Sequence, residues 1–257
     1  MSCSPQEATE ILHLHLLRLL GVTPDKAHVA VKGGCNLRFF FGSVRYSQDL
    51  DLDVAEKLAP HALKERVDRL LASAALRDAL RAGGLELGAV SAPKQTDTTQ
   101  RWKAELKVRG RSLAVHTKIE FSRRRDAEAA VLEAVDPQLV QRYQLMPIVA
   151  RHYPLPAALR QKVRALVGRQ TVQARDVFDL AVLFARAGGR GDALAGVRGV
   201  LGKAVERVLE VSFDDFQGQV VAYLHPEHAA SYASRDAWNA LQEQVVDALE
   251  GARHERG

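Results

Sequence analysis

The sequence predicts an α+β fold, a mixed sheet with helices packed on it followed by a helical C-terminal lobe, and three stretches carry that expectation. The apolar run 28–31 leads into the pair Gly33-Gly34 and then a helix-like stretch at 36–41, as a strand hands over to a helix. Residues 49–54 read DLDLDV, acids at the odd positions and apolar residues at the even ones, the period-two alternation of a half-buried strand. From residue 145 onward the pattern turns helical, after a seam marked by Met146-Pro147, Pro154 and Pro156. Two lobes are therefore expected, a core at 1–145 and a helical lobe at 146–257.

Taken in order, residues 7–20 read as an amphipathic helix closed by Gly21, with Thr23-Pro24-Asp25 as a turn before the first strand. His13 and His15 lie two apart on that helix and point in different directions, which argues against a metal site there. Pro60 opens a helix-like segment to residue 80, with Leu63, Val67, Leu70 and Leu71 inward and Gly83-Gly84 as its stop. Strand-like pieces follow at 85–90, 102–108 and 112–121, with Arg109-Gly110-Arg111 as the turn between the last two and a polar loop at 92–100. On the last strand Val115, Thr117, Ile119 and Phe121 face one way, and His116, Lys118 and Glu120 the other. Arg123-Arg124-Arg125 come next, a cluster suited to RNA backbone or simply to solvation.

In the second lobe Pro156 opens a helix to residue 167, and another runs from 172 to 187, closed by Gly188-Gly189. On it Asp176 and Asp179 share a face beside Arg175; by spacing alone this reads as a surface ion-pair set. Further helices are expected at 197–211, 215–223 and 235–249, with 251–257 frayed. No motif there carries chemistry, and Trp238 and Tyr232 read as packed aromatics rather than base-stacking ones.

The chemistry gathers in residues 32–54. Asp49 and Asp51, about 6.6 Å apart along one strand face, can hold Mg²⁺, which takes one or two protein carboxylates and leaves its other positions to water and phosphates. Gly33 and Gly34 let backbone N–H groups approach a phosphate at the positive end of the following helix. The chain has 257 residues, 47% of them hydrophobic, enough for a substantial core, and a formal net charge of +5 that suits a phosphate-bearing partner or solubility alone. Its basic residues are mostly arginine. Two cysteines, Cys3 and Cys35, do not indicate a disulfide framework and fit a reducing cytoplasm. The early apolar segment 11–20, interrupted by His13, His15 and Arg18, is too short and polar to span a membrane. Repeats and zinc-type Cys/His clusters are lacking.

The glycine pair, the helix and then Arg45-x-Ser47-x-Asp49-Leu50-Asp51-Leu52 resemble the first motif of the AbiEii/AbiGii toxin family of nucleotidyltransferases, a branch of the DNA polymerase β-like superfamily. Lys118-Ile119-Glu120-Phe121 resembles a second motif, and the run from Lys162 through Arg169 to Arg175-Asp176-Val177-Phe178-Asp179-Leu180 a third. The likeness spans roughly residues 28–187. It departs at Cys35-Asn36, where relatives more often carry Thr or Ser followed by Ala.

The resemblance implies a polymerase β-like nucleotidyltransferase core. Asp49 and Asp51 hold Mg²⁺ on a nucleoside triphosphate, with Glu120 as the third carboxylate, either ligating metal or deprotonating the attacking hydroxyl. Gly33, Gly34, Arg45, Ser47 and Lys118 serve the nucleotide. Lys162 and Arg169 reach its phosphates, Asp176 orients them or touches base or ribose, and Asp179 is structural. On this reading Lys162→Ala loses transfer and keeps its melting temperature. The implied biology is the toxin of a bacterial toxin–antitoxin pair, acting on an acceptor such as the tRNA 3′ end, with a cognate antitoxin as partner. Two alternatives stand beside it: a nucleotidyltransferase acting on a small molecule, and a nucleic-acid-binding or regulatory protein with a disabled site.

Overall fold

The computed structural model describes residues 3–123, 128–188 and 191–254. The chain divides into two compact units, Met1–Phe40 with Tyr46–Tyr153, and Phe41–Arg45 with Pro154–Gly257.

The first unit opens with α1 (Pro5–Gly21), started by a capping box in which Ser4 and Glu7 exchange hydrogen bonds. Its leucines at 12, 14, 16 and 17 are buried in the core that the sheet and helices share. Then come β1 (Val29–Lys32), α2 (Gly33–Phe40), β2 (Asp49–Val54), α3 (Pro60–Leu71), α4 (Ala74–Ala82), β3 (Leu85–Gln95), β4 (Thr99–Val108), β5 (Val115–Arg123), β6 (Val131–Ala134), α5 (Pro137–Arg142) and β7 (Val149–His152). Among the described residues seven strands form one sheet in the order β3-β4-β5-β2-β1-β7-β6. It is mixed: β2 runs parallel to β5 and antiparallel to β1, and β4 runs antiparallel to β3 and β5. On β4 the alternation is complete, with Gln100, Trp102, Ala104, Leu106 and Val108 buried and the residues between them turned outward. Trp102 meets Phe121 edge-on, and the helices α1–α4 add their apolar residues to the same core.

The structure differs from the sequence expectation in several elements. The long helix expected from Pro60 breaks into α3 and α4, because the Ser73 hydroxyl accepts the Leu76 N–H and caps a new helix. Most of the expected loop 92–100 is strand: β3 and β4 extend to a tight turn at 96–98, where the Thr96 hydroxyl donates to the Thr99 carbonyl. The chain turns helical only at Leu155, since residues 149–152 form β7 between β1 and β6. Arg124, Arg125 and Gly189, named above, lie outside the described residues.

The second unit contains α6 (Leu155–Gly168), α7 (Ala174–Ala187), a 3₁₀ segment (Gly191–Val200), α8 (Leu201–Leu209), α9 (Phe213–Gln219), α10 (Pro226–Tyr232) and α11 (Arg235–His254). The last helix thus continues through part of the stretch expected to fray. Gly188 caps α7 in the left-handed conformation, φ +58°. Phe178 and Phe216 are buried between helices, with Trp238 stacked on Phe216 and Tyr232 edge-on to Phe178; Trp238 and Tyr232 are packing groups. The strip Phe41–Arg45 belongs to this unit although it lies between α2 and β2 in the chain, and Arg45 forms an isolated bridge with Leu224.

Candidate active site

Strand register builds the first group of charges. Asp51 of β2 lies opposite Glu120 of β5, and Glu120 opposite Arg101 of β4; one step along, Asp49 lies opposite Lys118, and Lys118 opposite Lys103. Directly opposed residues share a sheet face, so these side chains occupy two adjacent rows. Lys118 Nζ stands 3.1 Å from Asp49 and 3.9 Å from Glu120, and Arg101 holds Glu120 with Nε at 2.7 Å and a terminal nitrogen at 2.6 Å. Burial pushes the Asp51 carboxyl above its ordinary pKa, Lys118 opposes that rise, and Asp49 adds to it. A carboxylate that is costly to ionise alone is one that a cation stabilises. Asp53 shares the face with Asp49 and Asp51 but is buried and committed, accepting from Lys32 Nζ and, at 2.8 Å, from the Tyr153 hydroxyl.

The glycines stand where β1 ends. Gly33 has φ +64°, and a Cβ there would lie 3.1 Å from Asp51 Oδ2, so its missing side chain keeps the space beside that carboxylate open. Helix α2 starts at Gly33 itself, and Gly34 follows in its first turn. Cys35 points away into the core: its thiol donates to the Asp49 carbonyl at 3.2 Å and sits 3.6 Å from His13 Nδ1. The Ser47 hydroxyl donates to the same carbonyl at 2.9 Å. Position 35 and Ser47 thus fix the start of the acidic strand through its backbone.

A second group lies within the second unit. Asp179 accepts both Nε (3.2 Å) and NH2 (2.9 Å) of Arg45, and Lys162 Nζ approaches it to 2.5 Å; Asp176 accepts from Lys162 at 3.1 Å and from Arg169 Nε at 2.6 Å. Both aspartates are 0% exposed, which corrects the surface ion-pair reading of this helix face. Burial alone would raise the Asp179 carboxyl, but Arg45 and Lys162 overcome it and hold it below the ordinary range. Burial likewise opposes the charge on Lys162, and Asp179 and Asp176 raise it. Arg45, expected at a phosphate, is 7% exposed with its guanidinium on Asp179; Arg169 is the open member, its side chain 39% exposed.

A divalent metal fits the aspartate pair. Asp49 and Asp51 share one face beside an open glycine cradle, and two carboxylates with phosphate oxygens are an ordinary Mg²⁺ donor set. Glu120, expected as a third ligand, is ion-paired to Arg101 instead, and no group of three or more Cys, His, Asp or Glu residues able to hold a metal occurs among the described residues. Arg101, Tyr153 and the Arg45–Asp179 pair are the partners that sequence reasoning missed. Matching the apolar face of β4 (Trp102, Leu106) to that of β5 (Val115, Ile119) would have turned Arg101 toward the Glu120 face.

The mixed sheet, with an Asp-x-Asp strand beside a glycine-led helix and a helical second unit, defines a nucleotidyltransferase. The chain belongs to the AbiEii family: the family model described as "Nucleotidyl transferase AbiEii toxin, Type IV TA system" matches residues 15–253. It is accordingly an enzyme of a toxin–antitoxin family. Two solved structures share the fold. One is JHP933 from Helicobacter pylori, 18% identical, TM-score 0.59, covering 97% of this chain and 95% of that one. The other, provisionally described as a nucleotidyltransferase from H. pylori, is 20% identical, TM-score 0.56, covering 96% and 97%. No curated protein matches the sequence. No helix among the described residues is long and apolar enough to cross a membrane.

Proposed function

We propose that this protein uses Mg²⁺ to transfer a nucleotide from a nucleoside triphosphate to the 3′ end of an RNA such as tRNA, as a toxin countered by a cognate antitoxin. The observation that carries the reading is the row in which Asp51 faces Glu120, with Asp49 beside it and Gly33 leaving the adjoining space open. Asp49 and Asp51 hold the metal, which when bound neutralises charge on the triphosphate. The N–H groups at the start of α2, at Gly33 and Gly34, receive phosphate oxygens.

The acceptor hydroxyl oxygen then forms a bond to the α-phosphorus. The bond from that phosphorus to the oxygen bridging to the β-phosphate breaks, pyrophosphate leaves, and the hydroxyl proton passes to Glu120. Arg101 fixes the Glu120 carboxylate, and Lys118 spans Asp49 and Glu120. We assign a phosphate contact to Arg169, with Lys162 and Asp176 holding it in place, and give Arg45 the task of positioning Asp179. Nucleotide and metal chemistry belong to the first unit, and the basic group, Arg45 included, to the second.

The test is transfer of label from each α-labelled nucleoside triphosphate to total RNA with Mg²⁺, resolved on a denaturing gel. Labelled RNA that vanishes with Asp51→Asn is the expected result. No label on RNA, with label on a small acceptor, would replace RNA as the substrate. No label anywhere from folded protein would remove the enzymatic reading of this chain.

A further inference from the structure

The face that carries Asp49 and Asp51 continues across β5, β4 and β3 as an open polar surface. Its residues are Lys118 and Glu120 on β5, Arg101 and Lys103 on β4, and Lys94 and Ser91 on β3, with Lys94 opposite Arg101 and Ser91 opposite Lys103. The helices of this unit add their buried residues to the opposite face. Lys94 and Lys103 are exposed, and among the described residues neither has an ion-pair partner, whereas Lys118 and Arg101 are held by Asp49 and Glu120. The acids on the same face, Glu86 and Glu105, lie further along the strands, opposite Lys107 and His116.

Spacing gives this surface a direction. Neighbouring strands are about 4.8 Å apart, so Lys103 stands about 10 Å from the Asp49 position and Lys94 about 14 Å from that of Asp51, measured across the sheet. Both cations lie on one side of the carboxylates, and on the other side the Asp51 row continues to Lys32 of β1. No phenylalanine, tyrosine or tryptophan occupies these positions, so the surface can grip phosphates without stacking bases.

We propose that this open face is the acceptor platform. The single-stranded 3′ end of an RNA lies across β3, β4 and β5, its terminal hydroxyl reaches Asp49 and Asp51, and Lys103 and Lys94 each take a phosphate of the preceding nucleotides. The proposal rests on the transfer reading above. Binding of this kind is sequence-tolerant and depends on salt.

The test measures fluorescence anisotropy of a short labelled single-stranded RNA, without nucleotide, across a salt series, for the full chain and the double variant Lys94→Gln/Lys103→Gln. Loss of two phosphate contacts lowers the salt slope by about 1.4 and weakens binding about tenfold. The Lys94→Arg/Lys103→Arg protein restores both, and binding of a fluorescent nucleoside triphosphate with Mg²⁺ is the same in all three. Unchanged RNA affinity and slope in the Gln variant would overturn the platform, as would RNA duplex binding equal to single strand. RNA binding that depends on these lysines, without any nucleotide transfer, would leave the platform standing and remove the transfer reading.

Discussion

His13 shows how far burial governs a single side chain. Its Nε2 lies 2.8 Å from the Thr117 hydroxyl, which donates its own proton to the Gln48 carbonyl, so Nε2 is the ring nitrogen that carries hydrogen. Burial lowers its pKa from 6.5 to about 3. In the unfolded chain the ring takes up a proton near pH 6.5, so stability is complete above that pH and drains away as pH falls toward 3. From pH 7 to 5 this one group accounts for a loss of about 2 kcal/mol. His13→Gln keeps a donor for Thr117 and flattens that dependence. Urea melts at both pH values decide it, and identical losses in the two proteins would place the effect elsewhere.

At the scale of elements, the junction of β1 and α2 depends on Gly33. An Ala there takes on a left-handed backbone and a contact with Asp51, so Gly33→Ala should lower stability by about 1 kcal/mol and weaken Mg²⁺-dependent nucleotide binding. Titration with a fluorescent nucleotide alongside thermal melting measures both, and intact binding would detach the cradle from the phosphates. Helix α7 gives a sharper contrast. Lys162 lies between two fully buried aspartates, so Lys162→Ala leaves each of them with a single arginine and should cost about 1.5–3 kcal/mol, contrary to the unchanged melting temperature expected from sequence. Arg169→Ala, at the exposed end of the same group, should lose transfer with little change in melting temperature; a large drop in melting would make Arg169 structural.

These elements also mark what the sequence could disclose. The DLDLDV alternation and the glycine pair were legible because their physics is local: period two, and backbone freedom at a strand–helix junction. Arg101 was not, because pairing residue 108 with 112 across the Arg-Gly-Arg turn sets Gln100 opposite Glu120, whereas the observed register sets Arg101 there, and a one-residue slip exchanges the faces. Strand β7 was hidden among prolines that read as a linker. Asp179 was expected to be structural, but its partner Arg45 was not legible because it is 134 residues away, and nothing local announces that distance.

For the molecule as a whole, the discontinuous second unit makes a prediction of its own. A fragment spanning 154–257 lacks the strip Phe41–Arg45 and with it the bidentate partner of Asp179. Asp179 keeps Lys162 there but loses its arginine, so the fragment should be less stable than the same helices in the full chain by about 1.5–3 kcal/mol. Denaturant melts followed by helical circular dichroism compare them; equal stability with and without residues 41–45 would show that the strip merely rests on the helices.

The same strip has a consequence in time. Arg45 is made early, 134 residues ahead of the carboxylate that it needs, an interval of roughly 7 to 27 seconds at ordinary elongation rates. Every growing chain passes through that interval with its second unit unfinished. A polypeptide abandoned anywhere within it is born without the aspartate that completes the unit, so interrupted synthesis yields no finished copy of this protein.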